Sequence, residues 1–171
     1  MKKLMILMSC AMLMLAVGCK KNDEPKPDPQ PDPQPQPEVL DSISGSVSQP
    51  SWAAPESYDM TASMTAIVSV DLSLTYPKQV EAEKWKLADG DLLAAFCGDK
   101  CLGVDTLEAD RNNLFFLYIA GLNNEDIKDV QLRYYSKQVK NIFKSNSTFS
   151  FSNDSQLGSV GTPYTPEWTK Q

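Results

Sequence analysis

Residues 60–74 alternate between two kinds of side chain. Met60, Ala62, Met64, Ala66, Val68, Val70, Leu72 and Leu74 fall on one side, and Thr61, Ser63, Thr65, Ser69, Asp71 and Ser73 on the other, with only Ile67 out of order. Period two over this length puts the apolar set on one face of an extended chain, whereas a helix repeats its apolar stripe every three to four residues. Such a face is stable only when a second layer covers it. The segment therefore commits its domain to β layers, as one half-buried antiparallel strand or as two strands joined by a bend.

The rest of the chain beyond residue 38 agrees. Asp91 to Cys97 and Cys101 to Leu107 are short apolar runs around Gly98-Asp99-Lys100, a hairpin-sized loop. Leu114 to Ile119 follows the polar turn Asp110-Arg111-Asn112-Asn113. Val130, Leu132 and Tyr134 alternate with Gln131, Arg133 and Tyr135, and Val139–Phe143 and Thr148–Phe151 complete the predicted strands. No segment shows helical periodicity. Short strands separated by regular turns predict an all-β fold, a single antiparallel β-sandwich of immunoglobulin-like type.

That domain occupies residues 38–171. Between Pro25 and Pro37 every second residue is proline, with Lys, Asp and Gln between them. Each ring fixes its own φ and pushes the preceding residue out of the helical region, so the stretch is a polyproline II stalk of about 40 Å at roughly 3.1 Å per residue. Residues 1–18 have the layout of an export signal. Lys2 and Lys3 precede an apolar run, Leu4 to Val17, that is too short for an ordinary transmembrane span. The run ends in Leu15-Ala16-Val17-Gly18-Cys19, which resembles the lipobox of bacterial lipoproteins. That resemblance implies cleavage before Cys19, lipid on its thiol, and residues 19–37 as a lipidated anchor and linker. Lys20-Lys21-Asn22-Asp23-Glu24 is similar to the surface-export signal of Bacteroidota lipoproteins, which implies the outer membrane and its outward face.

Loss of Lys2 and Lys3 takes 16 basic residues to 14 against 22 acidic ones, a formal charge of −8. An acidic chain is poorly suited to phosphate backbones, so nucleic acid is not an expected partner. The chain has no histidine, which excludes Ser-His-Asp and Cys-His catalysis and the usual zinc sites.

At Asp91-Leu-Leu-Ala-Ala-Phe-Cys-Gly-Asp-Lys-Cys-Leu-Gly-Val-Asp105 the chain resembles a β-sandwich module of Bacteroidota cell-surface proteins that carries "AAFVGxECRGV". Trp52, Tyr58 and Met60-Thr61 match its opening, Leu114 to Tyr118 its "LFFL" strand, Val130 to Tyr135 its "ITFRVYD" strand, and Leu157-Gly158 to Pro163 its close. The chain departs from the pattern at Cys97, where valine is usual, and at Lys100 and Leu102. The resemblance implies a fold and a location, not a reaction.

Several residues are candidates for sites. Cys97 and Cys101 are the two thiols left once Cys10 is removed and Cys19 acylated, and in an exported protein they could close a disulfide across the hairpin. The alternative is that both are small buried hydrophobes. Asp89, Asp91 and Asp99 offer oxygen ligands of the kind calcium takes. Together with Asp105 they also offer paired carboxylates of the kind a carboxylate-based hydrolase would need. Trp85, between two lysines, and Tyr164 and Trp168, in a proline-flanked tail, are the aromatics expected to be exposed for stacking on sugars. Asp41-Ser42-Ile43 and Asp105-Thr106-Leu107 resemble the acceptor pattern for O-glycosylation in Bacteroidota, with Ser42 the better placed. The expected function is a non-catalytic surface module for binding or adhesion, to glycan or protein. The alternative is a structural or accessory subunit of an envelope complex. An exposed aromatic cluster would favour the first, and a large apolar patch or one open edge strand the second.

Overall fold

The computed structural model describes residues 40–56, 59–121 and 127–171. Strand β1 (Asp59–Ser69) is the alternating segment, and Met64, Ala66 and Val68 point into the core as their spacing requires. The alternation outlasts the strand. A 3-10 turn at Leu72–Leu74 follows, opened by the Asp71 carboxylate, which accepts from the Ser73 backbone N–H at 2.9 Å. Once the chain coils, the period-two assignment no longer holds, so Leu72 stays buried while Leu74 is exposed.

A helix the sequence reading did not anticipate comes next, α1 (Pro77–Glu83). Pro77 sits in its first turn, where the missing N–H costs nothing, and Lys84 caps it in the left-handed region at φ 52°. Seven residues span two turns and bury only part of Val80, too little for a 3.6-residue period to register.

The remaining strands are β2 (Leu92–Cys97), β3 (Lys100–Thr106), β4 (Leu114–Gly121), β5 (Val130–Ser136), β6 (Asn141–Phe149), β7 (Gln156–Leu157) and β8 (Trp168–Lys170). The two segments expected at Val139–Phe143 and Thr148–Phe151 are one strand, β6. A register shift in its pairing with β5 lies between Gln131 and Arg133, and there the buried Ser145 hydroxyl stands in for a backbone partner, accepting from Leu132 N–H at 3.0 Å.

Two sheets result, β4-β1-β7 and β3-β2-β5-β6-β8, packed as an all-β sandwich. Pairing is antiparallel except between β1 and β7. Tyr134 lies at the centre of the core. Its ring stacks on Phe143 at 6.1 Å and meets Trp168 at 5.9 Å, Phe115 at 6.2 Å and Trp85 at 6.4 Å. At one side of the sandwich β3 is pressed onto β4. A Cβ on Gly103 would stand 2.0 Å from the Tyr118 carbonyl oxygen, so this approach requires glycine.

The segment before β1 is also part of the fold. Gly45 N–H donates to Val139 O and Val47 N–H to Lys140 O, both at 2.8 Å, and Ile43 enters the core. The segment continues over the outer face of the large sheet, where the Tyr135 hydroxyl donates to Val47 O at 3.4 Å and Trp52 meets Phe96 edge-on at 5.7 Å.

Candidate functional site

Most residues that the sequence marked for chemistry serve the fold. Asp91 is fully buried. Its carboxylate accepts from the Tyr134 hydroxyl at 2.6 Å, from Lys137 N–H at 2.8 Å and from Ala88 N–H at 3.0 Å. Burial pushes Asp91 above the usual carboxylate range despite these donors, and burial together with the Asp91 charge pushes the Tyr134 phenol well above its ordinary value. The carboxylate ties the loop before β2 to the loop after β5. Asp99 lies beyond the opposite end of β2, about 20 Å away along six extended residues. It is fully exposed and lies 3.9 Å from the Arg133 guanidinium. Asp89 is exposed on the loop before β2. The three aspartates expected to share calcium are therefore not brought together, and no group of metal-ligating side chains converges among the described residues.

The expected disulfide is not formed. Cys97 pairs directly with Lys100 around a two-residue turn in which Gly98 takes φ 60°, and Cys101 pairs with Phe96. Successive side chains of a strand point to opposite faces, so the two thiols leave the hairpin on opposite sides. Cys97 donates to Lys128 O at 3.2 Å and Cys101 to Gly103 O at 3.5 Å. Burial raises the Cys101 thiol pKa above its ordinary value.

The aromatics expected at the surface are largely inside. Trp85 is only 9% exposed and donates its indole N–H to Ser136 Oγ at 3.2 Å; Trp168 is fully buried against Tyr134. A lysine on each side of Trp85 reflects solvent on the neighbouring positions, not on the ring itself. Tyr164 is half-buried, meets Phe149 at 6.1 Å and shares a 2.7 Å hydrogen bond with Ser147, while its backbone bridges to Val68. Ser42 is exposed as expected, but its hydroxyl already donates to Glu83 at 2.9 Å and accepts from Ser44 N–H at 3.0 Å. Cys19 lies outside the described residues.

The sequence reading missed the aromatics that do face out. In β4, Phe115, Leu117 and Ile119 point into the core, so Phe116 and Tyr118 point away from it, at 38% and 45% exposure. The signal was present in the run Leu-Phe-Phe-Leu-Tyr-Ile: rings at every second position, where a half-buried strand ordinarily carries polar residues. Directly across on β1 stand Ile67, opposite Phe116, and Thr65, opposite Tyr118, with Gln156 of β7 beside Thr65. At one end of this face Arg111 lies 6.0 Å from the Phe116 ring centroid and pairs with Asp105 and Glu108, each at 3.0 Å. Asp105 also accepts from Phe116 N–H at 2.8 Å, on the side of β4 against which β3 is pressed.

The β8 edge is covered by side chains, since Lys170 N–H donates to the Tyr76 hydroxyl at 2.9 Å and Trp168 N–H to Thr75 Oγ1 at 3.4 Å. Three surface clefts of about 480, 390 and 280 Å3 are each lined by at most one acidic side chain, Asp41 in the first and Glu81 in the second. No helix among the described residues is long and apolar enough to cross a membrane. Comparison with protein-family models, with curated proteins and with solved structures yields no match.

Proposed function

We propose that the chain is a lipid-anchored surface protein of Bacteroidota type that presents a non-catalytic β-sandwich for binding or adhesion, to glycan or to protein. The observation that carries this reading is the pair of aromatic rings on the outer face of the small sheet. Exposed rings at alternate strand positions add little to folding, and large apolar groups clustered on a surface mark contact sites. The accessory-subunit alternative drew on a large apolar patch or one open edge strand, and two rings at 38% and 45% exposure make only a small patch. Side chains cap the β4 and β8 edges at Phe116, Trp168 and Lys170, which favours a face over an edge as the contact surface. A carboxylate hydrolase is disfavoured because Asp91 and Asp105 are held by internal donors.

The anchor at Cys19 and the outward address rest on the lipobox and on Lys20 to Glu24. The immunoglobulin-like assignment is supported by two mainly antiparallel sheets around one core. Ser42 remains a candidate acceptor for a glycan, on the exposure of its side chain. The test is an array that displays glycans beside envelope and matrix proteins, probed with the full chain and with cells carrying it. Saturable binding to at least one class is expected, lost from cells when Cys19→Ala removes the tether. An array with no bound spot ends the binding reading.

A further inference from the structure

Resting on the binding reading above, we infer that the outer face of the small sheet is a platform for a neutral oligosaccharide, with Phe116 and Tyr118 stacking on successive sugar rings.

Three features of the face select this ligand. The first is area. An aromatic side chain contributes roughly 150–250 Å2 when fully buried, so two rings at 38% and 45% exposure offer under about 200 Å2 together. A stable protein interface takes about 800 Å2 from each partner. Their other neighbour on the face, Ile67, is already buried and adds little. The rings match a ligand built from small flat units, not the side of another protein.

The second is spacing and chemistry. Residues two apart on a strand are about 6.7 Å apart, so the rings form a short track along β4 rather than a single spot. Beside the track the row Gln156–Thr65–Tyr118 crosses three strands and places an amide and a hydroxyl alongside a ring. Apolar rings flanked by such groups complement a pyranose, which has C–H groups on its faces and hydroxyls around its rim.

The third is charge. Arg111 stands 6.0 Å from the Phe116 ring centroid, and Asp105 and Glu108 pair with it, leaving this cluster one negative charge in excess. A sulfated or phosphorylated polymer would meet repulsion here. The same three side chains can exchange hydrogen bonds with sugar hydroxyls at the Phe116 end of the track.

Affinity electrophoresis of the full chain in gels containing a neutral mannan, a xyloglucan or a mixed-linkage glucan tests this, with a heparin gel for contrast. Retardation by at least one neutral polymer is expected, none by heparin, and about ten-fold weaker binding for Phe116→Ser and for Tyr118→Ser. Both variants should keep the parent Tm, because the altered rings are solvent-facing. If no neutral polymer retards the chain, or if heparin does so more strongly, the inference is overturned. Retardation that survives both substitutions also overturns it, though the chain would remain a binding module with its site elsewhere. Binding to proteins alone on the array, abolished by Phe116→Ser, would overturn the sugar assignment and leave the general reading standing.

Discussion

Strand β2 reads Leu-Leu-Ala-Ala-Phe-Cys and strand β4 reads Leu-Phe-Phe-Leu-Tyr-Ile-Ala-Gly, two apolar runs of similar character in different sheets. In β2 every residue from Leu92 to Phe96 is buried. In β4 the outward Phe116 and Tyr118 stay exposed. The difference comes from what lies over each sheet. The segment before β1 runs across the outer face of the large sheet, bringing Val47 to Tyr135 and Trp52 to Phe96, while Arg133 places its guanidinium 4.0 Å above the Phe96 ring. On the outer face of the small sheet Ile67 is buried, while Phe116 and Tyr118 keep 38% and 45% exposure. Equivalent positions, one residue out of phase with the core in each sheet, are buried in β2 and, at Phe116 and Tyr118, partly exposed in β4.

Paired truncations measure that asymmetry most directly. Phe96→Ala should cost about 3–5 kcal/mol, because it empties space enclosed by Trp52 and Arg133. Chemical denaturation of both proteins supplies the number, and a loss below about 1 kcal/mol would mean that the segment over the large sheet does not cover it in solution.

A smaller effect should follow from Asp91→Asn. The amide can replace one carboxylate oxygen as acceptor, but its NH2 then faces the N–H of Ala88 or Lys137, leaving a buried donor unmet at about 1–3 kcal/mol. The pH dependence has a definite sign. The folded pKa of Asp91 lies above the unfolded value, so the native state binds more protons between the two. The stability contributed by this group is fully present below the unfolded value and is lost as pH rises through the folded one. The stability gap between parent and variant should therefore narrow as pH increases across that window, and a gap that widens would contradict a raised pKa.

The covering segment is itself held at Glu83. Its carboxylate accepts from Ile43 N–H at 2.7 Å, from Ser44 N–H at 3.1 Å and from the hydroxyls of Ser42 and Ser44. Partial burial pushes Glu83 up, but the four donors outweigh it and hold the pKa below the usual range. Its contribution is present above the unfolded pKa and lost as pH falls through the folded one. Glu83→Gln should cost about 0.5–1 kcal/mol near neutral pH, a modest figure because the site is partly solvated, and the loss should fade in acid. Hydrogen exchange at Gly45 and Val47 should rise in the variant, and unchanged protection there would show that Glu83 does not hold the segment.

At the bottom of the scale, Phe116→Ser should change stability by no more than about 0.5 kcal/mol in either direction. A loss comparable to that of Phe96→Ala would erase the distinction between the two faces.

Local rules made much of this fold readable. The alternation at 60–74 placed Met64, Ala66 and Val68 in the core, because a strand's side-chain period is fixed by its backbone geometry. Glycine and aspartate at 98–99 marked the hairpin, since φ 60° at Gly98 is open to glycine at little cost. The helix at Pro77–Glu83 was too short to reveal its period, and the pairing of Cys97 with Lys100 could not be told from a three-residue loop, a shift of one position that decides whether two thiols can meet.

The sequence by itself determined the longer strands and, within a strand, which residues share a face, because both follow from bonds and sterics a few residues long; the end of β1 and the short strands β7 and β8 were set by the fold. Only the tertiary structure decided which outer face is covered. That choice sent Trp85 and Trp168 to the core, gave Asp91 to a hydrogen-bonding role at the ends of β2 and β5, and left Phe116 and Tyr118 in solvent. Covering a sheet depends on where residues 43–52, far away in the chain, come to rest, and no local pattern in β2 or β4 encodes the position of that distant segment.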